Sequence, residues 1–484
     1  SPASAFGHTF LRINKANTYA VGQRRELLDY GVDFSADVDS ENAVIYAVKG
    51  LTGLFPGTFK QIPYYYKVRQ YNDVESRDLW EYELSLEGEQ LAMLVAHLWE
   101  LGHTHFDYYY LSENCSYHIL ALVEAAAPDT DLLAQLSSPV LPTDTVKALV
   151  AAPGLVREVR YRPSLRTQFL ARVKHMPDDD QDLVEELVYD PETAFPASLS
   201  DQRKIDVLDA AADLLDVRYG EDLVTKADGD AAKRKQRLLE RRSEILVPSR
   251  KVQVPPPYHK APEAGHGSHR IGVGGALAHG MAAPVIDFRI NLHDLADPPA
   301  GYPELNAIEF FRARLQLWPD GKLEADDVAI FRVTSLTLQS RFDRQLSWHF
   351  DVGATTLDDD ACERCNAGHI GGGVGMAFAP FGDAATLFIF TDAYVFYAPR
   401  LAGIYDSGFR IGVGPSAGLR LRVAPSLVVL TTGSYLFLPW QAPEGVYRAD
   451  AIVRFLYARD LGLSLEARVQ PGGYEGQLVQ LVYF

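Results

Sequence analysis

The sequence predicts a multidomain chain of 484 residues: an α+β domain, a helical segment, and a C-terminal antiparallel transmembrane β-barrel of about 12 strands. Three observations carry this reading. After about residue 269 the hydrophobic period becomes two and stays there. Residues 166–246 read as helical and highly charged, and before residue 165 short β-like runs alternate with helical ones. The divisions are therefore 1–165, 166–246, a linker over 247–268, and a barrel over 269–484.

In the first division, Thr9 to Ile13, Leu27 to Phe34 and Leu79 to Leu84 read as strands. Ser85-Leu86-Glu87 opens a helix that carries Leu91, Leu94, Val95, Leu98 and Leu101 at helical spacing. A second helix begins near Asn114 and carries Ile119, Leu120, Leu122 and Val123. In the second division, Asp178-Asp179-Asp180 and Ala231 to Ile245 read most simply as a solvated helical pair. In the linker, Pro255-Pro256-Pro257 is stiff and Gly265 to Ser268 is loose.

The barrel reading rests on long strands with one apolar and one charged face. Ile286, Phe288, Ile290 and Leu292 alternate with Asp287, Arg289, Asn291 and His293. Leu463, Leu465, Ala467 and Val469 alternate with Ser464, Glu466, Arg468 and Gln470. Such strands suit a barrel in lipid with a polar interior, and exceed the five or six residues usual in a soluble sandwich. Trp348, Tyr397, Trp440 and Tyr457 would form an interfacial girdle. The strands near 326–339, 385–397 and 426–438 alternate poorly, which leaves ten or fourteen strands open. A terminal Phe484 on an amphipathic strand resembles the signal read by the barrel assembly machinery of bacterial outer membranes.

Composition excludes other classes. Lys+Arg 46 against Asp+Glu 64 gives a formal charge of −18, which argues against nucleic acid as a partner. No apolar run is long enough for a membrane-spanning helix. The chain opens at Ser1 without Met or a cleavable leader, which fits a processed secreted protein or a shortened chain. No ligand spacing for a metal and no cofactor motif is present, so neither is expected.

Three cysteines cannot form a disulfide scaffold. Cys362 and Cys365 fall in a connection on the extracellular side if the barrel starts from the periplasm, where a local disulfide is expected. Cys115 stands alone where a loop becomes a helix, and such a place favours the thiolate. It reads either as a nucleophile or as a small buried thiol. His8, His97, His103, His105 and His118 are candidate bases, and spacing alone does not choose among them. His97, His103 and His105 lie at a helix end, where surface or interface packing is expected.

Ser4-Ala5-Phe6-Gly7-His8-Thr9-Phe10-Leu11-Arg12-Ile13 and Glu113-Asn114-Cys115-Ser116-Tyr117 together resemble the family known as the Lnb N-terminal periplasmic domain. Lys49 to Gly53, Arg77 to Tyr82, His97 to Leu101 and Tyr161 to Ser164 agree with it, and the likeness covers roughly residues 1–165. The family is similar to circularly permuted NlpC-type, papain-like folds, in which the His precedes the Cys. The resemblance implies Cys115 as nucleophile and His8 as base. Gly7 would turn the chain to project His8. The Cys115 N–H, with the Asn114 side chain, would stabilise an oxyanion. Asp29, and after it Tyr30, is the expected group to orient the imidazole.

The family's named member is associated with remodelling acylated lipoprotein termini, and there transmembrane helices take the place of the barrel. The expected activity is a periplasmic thiol acyltransferase or hydrolase, anchored in the outer membrane and working through a Cys thioester. Its expected partners are outer-membrane lipid and a lipoprotein, phospholipid or peptidoglycan substrate. The alternatives are a peptidoglycan peptidase or amidase, and a pore or transport barrel with a non-catalytic plug or binding domain. In a pore, Arg289, Arg410, Arg420, Arg422, Arg454 and Arg468 would make the lumen basic. Pairing with Asp287, Asp351 and Glu466 would instead close it.

Overall fold

The computed structural model describes residues 7–15, 29–39, 42–359, 362–401, 407–439, 441 and 444–484. It divides into two compact units, Ser1–Tyr258 and His259–Phe484.

The first unit holds a four-stranded antiparallel sheet in the order β1 (Leu11–Ile13), β2 (Tyr30–Ala36), β3 (Phe55–Pro63) and β5 (Phe106–Tyr108). β4 (Leu79–Leu84) pairs separately with β6 (Val156–Arg162). The helices are α1 (Ala43–Thr52), α2 (Tyr64–Val68), α3 (Gly88–Leu101), α4 (Cys115–Ala126) and α5 (Pro142–Ala151). Val32 and Phe34 alternate onto one face of β2 and pack with Phe59, Leu94, Ile119 and Leu122. This core fixes α3 and α4 against the sheet. The opposite face of β2 carries Gly31 and Asp33, and the site forms there.

The segment read as a solvated pair contains four helices: α6 (Leu165–Val173), α7 (Asp178–Tyr189), α8 (Asp201–Thr225) and α9 (Asp230–Ser243). They have a core of their own. Ile205, Leu208, Ala211 and Leu215 form a helical stripe on α8 that is fully buried with Val184 and Leu187. The high charge concealed this stripe. Much of that charge is spent between helices, as in Arg203–Asp180 at 2.7 Å and Arg172–Asp213 at 2.7 Å.

The second unit is a closed antiparallel barrel of 12 strands: β7 (Arg270–Ala278), β8 (Met281–His293), β9 (Asn306–Leu317), β10 (Leu323–Ser335), β11 (Ser347–Asp359), β12 (Cys362–Phe378), β14 (Ala385–Tyr397), β15 (Phe409–Ala424), β16 (Leu427–Phe437), β17 (Gly445–Ala458), β18 (Leu461–Gln470) and β19 (Gly473–Tyr483). A short β13 (Pro380–Asp383) lies outside this order. Closure is by β19 on β7, with Tyr483 opposite Arg270.

The outward positions are apolar and exposed, as at Val273 (58 %) and Leu277 (66 %), and the inward ones bury Arg270, Arg289, Arg314 and Arg454. That inversion of a soluble protein is what lipid requires. Trp348, Tyr397 and Tyr457 face outward, and Trp440 lies outside the described residues. The Cys362–Cys365 disulfide is formed, and Cys115 is free and buried.

The three poorly alternating strands have two causes. β10 carries register shifts at Ala325/Asp327 and at Ala329/Phe331, and each bulge resets the alternation. On β14 and β16 the lumen face is itself apolar, because Phe388, Phe390 and Leu430 pack against an inserted segment. That segment, 294–305, joins β8 to β9 and folds into the lumen with Leu295 and Ala296 in the same cluster. Asp297 meets Arg289 and Arg454, each at 2.7 Å, and Glu304 meets Arg420 and Arg422, each at 2.9 Å.

The stretch expected to be loose is also packed. His266 and Ser268 are buried, and Tyr302 donates to the His266 carbonyl at 3.0 Å. A Cβ at Gly267 would stand 2.3 Å from the Phe484 nitrogen, so only glycine passes the chain end there. A cavity of about 400 Å³ remains in the lumen, with Asp294 and Leu295 in its wall.

Candidate functional site

His8 enters the site from a turn at Gly7, whose φ of +86° is a conformation that side chains rarely adopt. Its Nε2 lies 2.6 Å from Asp33 Oδ1 on β2. The imidazole stacks on Tyr71 at 5.5 Å between ring centres. Tyr71 sits in a π-helical turn, Arg69–Val74, which follows directly on α2. The other oxygen of Asp33 accepts from Lys67 of α2 at 2.6 Å.

Cys115 is the first residue of α4 and is only 5 % exposed. His8 and the Thr9 N–H both lie in hydrogen-bonding reach of its sulfur. With Nε2 held by Asp33, the other ring nitrogen of His8 is left for the thiol. The Cys115 N–H donates to the Tyr108 hydroxyl at 3.3 Å, and that hydroxyl also reaches the sulfur.

The electrostatics favour an ion pair. Burial opposes charge on His8, but the Cys115 sulfur and Asp33 outweigh it and push the imidazole up to about 10. Burial likewise opposes the Cys115 thiolate, and His8 with the Thr9 N–H brings the thiol below its ordinary value. Burial also opposes charge on Asp33, yet His8 and Lys67 bring the carboxyl down to about 2. A thiolate–imidazolium pair backed by a carboxylate is equipped for attack on a carbonyl carbon.

Two sequence expectations are corrected here. Asp29 does not reach His8. Its carboxylate takes Arg12 at 2.6 Å and the Lys15 N–H at 3.2 Å, and Arg12 continues to Glu81 at 3.2 Å. The register explains this. Arg12 lies opposite Gly31 and Ile13 opposite Tyr30, so the chain before β1 runs toward the Asp33 end of β2. Asp29 and Asp33 share one face of β2 but stand about 13 Å apart along it. Tyr30 packs under the Lys15 ammonium at 4.7 Å instead.

Asn114 is likewise engaged elsewhere. Its carbonyl caps α4 by accepting from the Ser116 and Tyr117 N–H groups. Its amide donates to the Tyr110 and Val140 carbonyls at 3.2 and 2.7 Å. Both of its donors are spent, and none remains for an oxyanion.

The other histidines do not join the site. His118 lies under Phe34 at 4.0 Å between ring centres, and burial brings it down to about 4. His97 and His103 bond locally, to Glu100 and to the Trp99 carbonyl. Asp33, Lys67, Tyr71 and Tyr108 were not reached from the sequence. Asp33 carried a signal, since it shares the parity of Asp29 on one strand. The other three come from separate elements and carried none.

Residues 1–152 match the family described as the Lnb N-terminal periplasmic domain. Residues 159–254 and 259–480 match two further families, each described as a domain of unknown function. No curated protein matches the chain.

Among solved structures, the barrel is similar to the KdgM porin, at 6 % identity and a TM-score of 0.28 over 44 % of this chain and 99 % of that one. It is also similar to an outer membrane channel from Pseudomonas putida F1, at 12 % identity and a TM-score of 0.28 over 48 % of this chain and 100 % of that one. At such identities and scores these likenesses say nothing of what this barrel does.

The class is set by the closed barrel, apolar outside and charged inside, together with the periplasmic family matched by the first unit. The chain is a bacterial outer-membrane β-barrel protein. Its residues 1–152 match the Lnb N-terminal periplasmic domain family.

Proposed function

We propose that this protein is a periplasmic thiol acyltransferase or hydrolase with a papain-like Cys–His site, anchored in the outer membrane by its barrel. The observation that supports it is Cys115 at the start of a buried helix, facing His8, which Asp33 holds at 2.6 Å. The thiolate attacks an acyl carbonyl carbon, and an S–C bond forms while the carbonyl electron pair moves to oxygen. As the oxyanion forms it would displace the Tyr108 hydroxyl from the Cys115 N–H, leaving that N–H and the hydroxyl proton to meet it. On collapse the carbonyl reforms, and the leaving alcohol or amine takes a proton from His8. An acceptor amine or water then gives its proton to His8 and displaces Cys115 from the thioester. The resemblance to a lipoprotein-remodelling family makes a lipoprotein or phospholipid acyl group the favoured donor.

The barrel is read as an anchor because segment 294–305 occupies its lumen and the arginines expected to line a basic pore are engaged. Arg410 meets Asp359 at 2.6 Å, and Arg468 meets Asp450 at 2.8 Å.

The test gives the full-length protein diacylated lipopeptide and purified sacculi side by side, followed by mass spectrometry. An acyl adduct on Cys115, lost in Cys115→Ala and His8→Ala, is the expected result. Cleavage of sacculi alone would assign the site to peptidoglycan. Full activity in both variants would overturn the catalytic reading. Steady conductance in planar bilayers, unchanged in Cys115→Ala, would overturn the anchor reading in favour of a pore.

A further inference from the structure

Lys67 has no part in the chemistry described above, yet its ammonium is buried at 7 % exposure beside Asp33 at 8 %. Among the described residues Asp33 is its only hydrogen-bond acceptor. The stem of Lys67 lies against Gly31, and its ammonium stands 5.4 Å from the ring of Tyr71, the same ring that stacks on His8. Lys67, Asp33, His8 and Cys115 thus form one file of alternating charge, drawn from α2, β2, the lead into β1, and α4. Among the described residues the remaining groups that face the file are uncharged: Tyr71 from the π-helical turn, Tyr108 from β5 and the Thr9 N–H. Glu75 and Arg77 lie beyond Tyr71 and pair with each other at 3.1 Å.

We propose that Lys67 is a positioning residue that sets the charge balance of the site. It neutralises Asp33, so that the thiolate–imidazolium pair does not face an uncompensated carboxylate. The argument is electrostatic. Cys115, His8 and Asp33 in their working states sum to one negative charge in a buried place, and Lys67 brings the sum to zero. Without Lys67 the site sheds the excess charge by keeping a proton on Cys115, because an unpaired buried charge is costly. Lys67 touches no reacting atom and acts only through Asp33.

This inference rests on the thiolate reading of Cys115, and the experiment separates the two. Full-length protein in detergent is alkylated with iodoacetamide across a pH series, and the Cys115 adduct is read by intact mass. Cys362 and Cys365 are held in their disulfide. The wild-type rate is expected to rise at a pH well below that of a free thiol. Lys67→Met moves the inflection up by about one pH unit, and the rate on the acid limb falls about tenfold. Lys67→Arg stays near wild type, and Lys67→Met combined with Asp33→Asn moves back toward it.

An unchanged inflection in Lys67→Met overturns the role of Lys67 and leaves the thiolate reading standing. A wild-type inflection at the free-thiol value overturns both. Should Lys67→Met not fold, the neutral Lys67→Gln carries the test in its place. Its inflection rises in the same direction under the proposal, and no movement overturns it.

Discussion

In the barrel lumen several buried guanidinium groups each bridge two carboxylates. Arg314 joins Asp287 to Glu466, Arg332 joins Asp327 to Asp351, and Arg454 joins Asp294 to Asp297. Around Cys115 the charges run instead in single file, from Lys67 through Asp33 and His8 to a sulfur with no further cation beyond it among the described residues. Both regions bury charge at close range. The lumen spends its charge on itself and gains a fixed interior, whereas the file ends on an atom that can attack. Burial of charge therefore marks neither stability nor chemistry by itself, and the end of the network decides between them.

The largest expected effect breaks the file at its centre. Asp33→Asn should lower kcat for acyl transfer by about 10³, since the imidazole loses both its orientation and its charge partner. Asp29→Asn should leave kcat unchanged and destabilise the domain by about 1.5–3 kcal/mol, because Arg12 loses one of its two carboxylates and keeps Glu81. Steady-state kinetics beside urea unfolding of both variants decides the matter, and equal losses of kcat would sink the assignment.

Tyr108→Phe comes next. It removes the hydroxyl beside the Cys115 N–H and should cost about 10² in kcat with little change in KM. A rise in KM alone would give Tyr108 a binding role instead.

The lumen is tested by Arg314→Met, which leaves Asp287 and Glu466 without their shared partner. The barrel should lose about 3–5 kcal/mol, read as a lower unfolding midpoint on heated gels, while the pH profile of Cys115 alkylation stays in place. A shifted alkylation profile would erase the distinction between the two regions.

The last test is on pH dependence. His8 titrates at about 10 in the folded chain against 6.5 unfolded, so its contribution is fully present below 6.5 and is lost as pH rises through about 10. Asp33 has the opposite sign. Its contribution is present above 3.8 and is lost as pH falls through about 2. Proteolysis of the N-terminal unit in urea should show a plateau between these limits. The alkaline decline should be absent in His8→Ala.

The barrel was legible because lipid outside and charge inside force a period of two that survives in sequence. It blurred only where bulges interrupt β10 and where the inserted segment 294–305 makes both faces of β14 and β16 apolar. Gly7, His8 and Cys115 were legible through a local turn, a helix start and a family likeness. The choice between Asp29 and Asp33 was not, because side chains four apart on a strand share a face and only the pairing with β1 places one of them beside His8. Asn114 looked like an oxyanion donor from its place next to Cys115, yet capping α4 consumes it.

By itself, then, the sequence determined the period of two, a barrel of about 12 strands, and a Cys362–Cys365 pair beside a lone Cys115. Each of these is written in short-range spacing or in a single residue type, whereas Cys115 and His8 as nucleophile and base are what the family likeness implies. The tertiary structure decided which acid meets His8, that a buried lysine pairs with that acid, and that the lumen arginines are paired. Those depend on side chains brought together from distant elements, and no local spacing encodes their meeting.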